Sequence, residues 1–382
     1  MAESSIRRVL ITGATGFMGS RLCEVLFLTR RVQPRAFIHS TASAARIARF
    51  PIDFVLGDLT DRATVGKAMQ GCDAVIHLAR GDDQVMLTGL DNVLASARDH
   101  KVSRVVHMSS VAVYGNAPPS ESRHEDAVPN PGDMAYGHVK LEQERRVLRA
   151  YRAHGLPVVI LRPPNVYGPY SAYTTGIIQK IRSRKMAIVD GGTNPCNLVY
   201  IDNLMEAILL SLWKPQAIGQ TFFITDRDVV SWEQHLHDHA ALVGESIPNI
   251  RATDLCSKPT ERMFRDTVAT LPRVLLSGEL RALLRGVPLI RRLEEFAFKR
   301  FLALPADVQQ RLRLKLNGPQ RFAKIRPAAQ RFDRTDNIIA AQGRTVAHSC
   351  EKAQRLLGYS APVGRKQALE LTESWLRYAR II

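Results

Sequence analysis

The stretch Val9-Leu-Ile-Thr-Gly13-Ala-Thr-Gly16-Phe-Met-Gly19 most narrows what this chain can fold into. An apolar strand runs into three spaced glycines and out into a helical pattern that starts near Phe17. Glycine permits the tight turn and lets backbone N–H groups approach an anion, while the helix N-terminus faces that negative charge. GxxGxxG alone is weak; after a strand and at the start of a βαβ pattern it reads as a dinucleotide pyrophosphate loop.

The rest of the first 165 residues repeats that alternation. Apolar strands are expected at Arg8–Thr12, Arg35–His39, Phe54–Gly57, Ala74–Leu78, Val105–Ser109 and Val158–Arg162. Amphipathic stretches lie between them, at Phe17–Leu28, Asp61–Met69, Val85–His100 and Tyr136–His154. Such alternation with Val/Ile/Leu-rich strands implies an α/β fold, a doubly wound parallel (Rossmann) sheet with a ligand crevice at the strand C-terminal ends. A dinucleotide-binding domain over 1–168 is expected, with strand and helix returns near 196–225. A smaller substrate-binding region over 169–382 would include a helical basic insertion at 258–334. Within the second part, Ile201–Trp213, Trp232–Val243 and Arg365–Arg380 read as helices and Thr221–Thr225 as a short strand.

Composition excludes several classes. The chain of 382 residues is 45% hydrophobic and 23% charged, ordinary for a globular protein. Five scattered cysteines without a CxxC pair argue against a disulfide framework or a zinc site and for a reduced, cytoplasmic setting. The first strand starts too early for a signal peptide, and no apolar run is long enough to span a bilayer. Of the net charge of +17, the stretch Lys258–Arg334 supplies +11, from 18 Lys and Arg against 7 Asp and Glu. A nucleic-acid reading lacks an aromatic-interleaved motif. Leu- and Arg-rich helices there could lie peripherally on an anionic inner-membrane surface. Packing as a helical cap over a substrate cleft is the simpler reading.

Cofactor choice is written at the end of the second strand. NAD binders usually hold the ribose 2′-OH there with Asp or Glu. No acidic residue occurs between Val25 and Ile52, while Arg35, His39, Ser40 and Arg46 could accept a 2′-phosphate. NADP is therefore favoured over NAD. Asp58, in Gly57-Asp58-Leu59, either accepts from the adenine amino group or caps a turn; His77-Leu-Ala79 would line the cofactor path.

Tyr136 and Lys140 are spaced i, i+4 and share a helix face. A nearby ammonium favours a phenolate, which would bring Tyr136 toward working pH as a general acid/base for a carbinol–carbonyl pair. Ser110, after the fifth strand, could bond the reacting oxygen. His235 and His239 also share a face, but no third metal ligand is apparent, and with His237 they read as surface residues rather than a metal site.

The ordered pieces Thr12–Gly19, Gly57-Asp58-Leu59, His77-Leu-Ala79, Asn92-Val93, Ser109–Gly115, Tyr136-Gly-His-Val-Lys140, Leu161–Pro169 and Val199–Leu204 resemble the extended short-chain dehydrogenase/reductase (NAD-dependent epimerase/dehydratase) family. The resemblance covers about residues 6–245 and resumes at Cys350–Tyr359. It implies an NAD(P)-dependent enzyme with Ser110, Tyr136 and Lys140 catalytic, Lys140 also holding the nicotinamide ribose. Cofactor contacts are expected at Gly13, Thr15, Gly16, Phe17, Met18, Gly19, His39, Asp58, Leu59, Leu78, Ala79 and Pro163, besides Tyr136 and Lys140. Substrate contacts are expected at Asn165 and Tyr167. Dehydratases of the family carry Asp-Glu where this chain has Val111-Ala112, so epimerisation or ketone/alcohol redox remains, most simply on a nucleotide-sugar. Cys196 stands where such epimerases place an Arg on the diphosphate. The alternative is a 3β-hydroxysteroid-dehydrogenase-like enzyme of an apolar sterol or isoprenoid at a membrane surface. A dinucleotide sensor without catalysis would need none of Ser110, Tyr136 and Lys140. The resemblance also implies a homodimer.

Overall fold

Short strands that are apolar on both faces need cover on both sides. The computed structural model, which describes residues 6–254 and 338–382, meets this need with one parallel sheet between two helical layers. The strands of three or more residues are β1 (Arg8–Thr12), β2 (Gln33–Ile38), β3 (Asp53–Leu56), β4 (Ala74–His77), β5 (Arg104–Met108), β6 (Val158–Arg162), then β7 (Asn165–Tyr167) and β8 (Leu198–Tyr200), which pair with each other, and β9 (Thr221–Phe223). The seven-stranded sheet runs β9-β6-β5-β4-β1-β2-β3, every pairing parallel. The doubly wound expectation holds, and the strand order reverses between β1 and β4, the place where sheets of this kind hold a ligand at the carboxyl ends.

Helices α1 (Phe17–Thr29), α2 (Arg62–Met69), α3 (Asp83–Asp99) and α4 (Ala135–His154) fill the crossovers. Side chains alternate across the sheet. Val9 and Ile11 join Leu22 and Leu26 of α1 on one face, while Leu10 and Val75 join Val65, Leu90 and Val147 of α2, α3 and α4 on the other. At the sheet edge, β3 leaves Phe54 and Leu56 exposed.

A helix the sequence reading left irregular, α5 (Ala172–Arg182), follows β7. Its Tyr, Thr and Gly residues are weak helix formers, but Ser171 caps it and Ile177, Ile178 and Ile181 are buried. Helices α6 (Ile201–Trp213) and α7 (Trp232–Val243) match their expected bounds. The histidines of α7 correct the surface reading: His235 and His239 are fully buried, with Tyr173 Oη 3.2 Å from His235 Nε2, and of the three only His237 is exposed.

After the gap in description come α8 (Ile338–Gln342), α9 (Glu351–Leu357) and α10 (Arg365–Tyr378). Specific polar bonds seat this return on the first part. Gln342 Nε2 donates to the Ala187 carbonyl at 2.8 Å, Asn197 Nδ2 to the Val346 carbonyl at 2.8 Å, and Tyr359 Oη to the Thr225 carbonyl at 2.9 Å. The basic stretch 258–334, with its cap and membrane readings, lies outside the described residues. Among the described residues no helix is long and apolar enough to cross a membrane, and no group of three metal-ligating side chains occurs.

Candidate active site

The glycine loop is shaped by what it touches. Gly13 has φ +70°, and a Cβ there would lie 2.8 Å from the backbone of Leu78 and Ala79, so the loop lies directly against the end of β4. A Cβ on Gly19 would lie 2.1 Å from the Gly13 carbonyl oxygen, so α1 is seated on the loop. Gly16 caps α1 with no side-chain hydrogen bond, leaving the first-turn N–H groups of Phe17 and Met18 without a side-chain cap. Such a cradle fits the pyrophosphate of a dinucleotide. Thr15 belongs to the same turn.

Four groups were expected near the end of β2, and they separate. His39 and Ser40 stand at its carboxyl end, His39 exposed and Ser40 Oγ accepting from Ala42 N at 3.2 Å. Arg35 sits near the start of the strand, bound to Asp53 at 2.6 Å and to the carbonyls of Ala68 and Gln70, too far back for the cofactor end. Arg46 lies over the Tyr170 ring, 5.0 Å from its centroid. Asp58 Oδ1 accepts from Thr60 N at 2.8 Å, the turn-capping alternative, and its carboxyl is held below the ordinary value by that bond. Leu59 and Ala79 are buried and Leu78 half-buried beside the crevice.

Ser110 lies just past β5 and opens a short 3-10 turn, Val111–Tyr114, with its Oγ accepting from Ala112 N at 3.2 Å. Helix α4 packs against this turn. A Cβ on Gly137 would meet the Ala112 carbonyl oxygen at 2.3 Å, so glycine here lets Tyr136 come beside Ser110. Both line one cleft of about 230 Å³, with Val111, Ala112 and Asn165. The Pro163 carbonyl accepts from Val111 N at 3.2 Å and fixes the same turn to the end of β6.

Lys140 is buried one turn below Tyr136. Its Nζ donates to the Met108 carbonyl at 2.8 Å and to Gln143 Oε1 at 3.0 Å, and lies 5.8 Å from the Tyr136 ring centroid. Burial, helped by the Arg80 guanidinium, pushes the ammonium down to about 8. The lowered phenol expected from the Tyr–Lys spacing is not found. Burial raises the Tyr136 phenol, and the group that opposes this is Arg80, whose guanidinium stacks 4.9 Å above the ring. Below, Arg162 makes a buried pair with Glu144 at 2.8 and 2.6 Å and donates to Tyr114 Oη at 2.7 Å.

The substrate side holds surprises. Asn165 faces the cleft, but Tyr167 is fully buried, edge-on to Tyr200 at 5.5 Å, and does not line it. The cleft wall instead includes Arg344 and His348, which sequence reasoning missed. Arg344 Nη2 donates to Asn116 Oδ1 at 2.8 Å, and its buried Nε has no partner. His348 Nδ1 lies 2.7 Å from the Ser122 carbonyl, and burial pushes its imidazole down to about 4. The available signal was their position just ahead of the recognisable stretch Cys350–Tyr359.

A glycine-cradled parallel sheet with Ser110, Tyr136 and Lys140 gathered at one end defines an NAD(P)-dependent oxidoreductase or epimerase of the extended short-chain type. The chain belongs to the NAD dependent epimerase/dehydratase family, whose model matches residues 9–224. It is 30% identical over 230 residues to the 4-hydroxy-2-methyl-3-oxo-4-farnesyl-3,4-dihydroquinoline-1-oxide ketoreductase of Stigmatella aurantiaca, spanning 57% of this chain and 68% of that enzyme. It is 31% identical over 254 residues to the 2-alkyl-3-oxoalkanoate reductase of Stenotrophomonas maltophilia (strain K279a), spanning 62% and 76%. The crystal structure of UDP-glucuronic acid 4-epimerase from Bacillus cereus in complex with NAD superposes with a TM-score of 0.63 over 97% of this chain and 99% of that one, at 19% identity, a likeness of fold.

Proposed function

We propose that this enzyme is an NADP(H)-using epimerase or ketoreductase acting at a hydroxyl or keto carbon of an anionic substrate, with nucleotide-sugars as the leading class. One observation carries the substrate reading: Arg344 lines the cleft beside Ser110 and Tyr136 with a buried, unpartnered Nε. A half-buried guanidinium with a free donor is completed by a phosphate or carboxylate. Arg344 thus supplies a cation that the Cys196 position lacks. Asn165 adds a neutral polar contact. His39 and Ser40, without a carboxylate at the end of β2, support NADP.

In this reading Gly13, Gly16, Phe17, Met18 and Gly19 hold the pyrophosphate, Leu78 and Ala79 flank it, and Lys140 reaches the ribose. A nicotinamide held there would supply or take the hydride. Tyr136 gives its proton to the carbonyl oxygen on reduction and takes one back on oxidation. Ser110 donates a hydrogen bond to the same oxygen. Burial raises the Tyr136 phenol, so it enters protonated at neutral pH, the form that reduction of a ketone requires. Val111 and Ala112 bring no proton-transfer group to the cleft at the two positions where the family's dehydratases carry Asp-Glu, which disfavours dehydration.

A second reading rests on the two relatives at 30 and 31% identity, both named as reductases of keto compounds with apolar chains. A 3-oxo acid would also offer Arg344 a carboxylate, and a sterol-type ketone would not. The test is purified protein assayed at the nicotinamide band with nucleotide-sugars, 3-oxo acids and neutral sterol ketones. Tightly held cofactor with inversion of a nucleotide-sugar supports the first reading, and NADPH consumption on a 3-oxo acid supports the second. Tyr136→Phe is expected to lower turnover by about 10²–10⁴-fold while cofactor still binds. Turnover that survives this change overturns the assigned chemistry.

A further inference from the structure

We propose that the cavity between α1, α10 and the loops that follow β2 and β7 is a second ligand site, one that takes a planar aromatic anion. It goes beyond the catalytic reading. The cavity measures about 450 Å³, nearly twice the cleft at Ser110, and falls within the range of small-molecule sites. Its walls combine flat apolar surface with one unneutralised cation. Phe17, Tyr170 and Leu371 supply the surface.

Charge decides the ligand's sign. Arg21 is bound to Asp202 at 2.6 and 3.0 Å and to Glu24 at 2.7 Å, and Arg49 is bound to Glu24 at 2.8 Å. Both carboxylates of the lining are therefore engaged. Arg46 has no carboxylate partner among the described residues and rests on the Tyr170 ring. A guanidinium held on an aromatic face keeps its in-plane donors free for an incoming oxyanion.

Tyr170 is the second independent sign. It has φ +65°, a left-handed conformation that is strained for a bulky residue and clusters at binding sites. The residue is 41% exposed and its ring leans on Trp375 at 5.0 Å, so the strained backbone places the aromatic side chain on the cavity wall instead of in the core. A ring slid against Tyr170, with its anionic group at Arg46, satisfies both features. Gly13, Gly16, His39, Asp58 and Ala79 do not line this cavity; of the groups expected to meet the cofactor, Phe17 does, and so does Arg46, one of the four offered for a 2′-phosphate. The site thus adjoins the proposed dinucleotide groove through Phe17 and Arg46 while lying apart from the glycine loop itself, and its occupant touches the first turn of α1.

The probe is 8-anilinonaphthalene-1-sulfonate, a planar aromatic with one anionic group, titrated into the full chain saturated with NADP. One saturable site is expected, excited by energy transfer from Trp375 and losing that transfer in Trp375→Phe. Arg46→Ala is expected to raise Kd at least tenfold, while Arg46→Lys, which keeps the charge, stays within about threefold of wild type. Binding indifferent to Arg46→Ala overturns the proposal. So does competition by NADP, which would make the cavity the end of the cofactor groove and leave the catalytic reading intact.

Discussion

Lys140 and Tyr136 show how far a spacing rule reaches at the scale of single residues. Their i, i+4 relation was legible, and the pair does meet at one cleft end. What the ammonium does there was not legible, because its nearest partners are a carbonyl of β5 and Gln143, not the phenol. Lys140 at about 8 gives a pH prediction. Its charge is present below that value and lost above it, so turnover should fall as pH rises through about 8. Gln143→Leu removes an acceptor that favours the charged form and should move this limb to lower pH. A pH–rate profile of both proteins checks it, and a limb that stays in place means Lys140 is not the titrating group. Arg344 sets a second expectation. Arg344→Leu should weaken an anionic substrate by about 1.5–3 kcal/mol, roughly ten- to a hundredfold in KM, while a neutral ketone is handled as before. Steady-state kinetics on both substrate types read the difference.

Among the elements, α4 matters most, because its position sets the distance between Tyr136 and Ser110. Its seat is Gly137 against the Ala112 carbonyl, where added bulk has nowhere to go. Gly137→Ala should cost about 1–3 kcal/mol of stability and reduce kcat more than cofactor affinity, read by denaturant titration and NADPH binding. The main strands were legible because apolar runs on both faces of a parallel sheet leave few alternatives. Helix α5 was not, since its local propensity is poor and only the burial of Ile177, Ile178 and Ile181 makes it form. For α7 the periodicity was right and the environment wrong. A histidine pair at i, i+4 looks the same in sequence whether it faces water or, as His235 and His239 do, a packed core beside Tyr173.

For the molecule as a whole, buried neutral imidazoles set the acid limit. Burial pushes His77 to about 3 and His348 to about 4, and it lowers His107, His235 and His239 as well. The unfolded chain then takes up protons first as pH drops. The stability these groups contribute is complete above the free imidazole value of about 6.5 and is lost as pH falls from there through about 4 and 3. Thermal melts from pH 7 to 5 should show a falling Tm, with a shallower slope in a His235→Gln/His239→Gln variant. An unchanged slope would remove these two from the account. Long-range assembly was the least legible property, as Arg344 meets Asn116 across 228 positions. That contact carries a consequence for the order of events on the ribosome. The glycine cradle, Ser110, Tyr136 and Lys140 all emerge well before Arg344 and His348, and domains tend to fold as they are synthesised. A nascent chain thus holds the groups proposed to grip a nucleotide long before the arginine proposed to read an acid, so substrate recognition is the last property to be assembled.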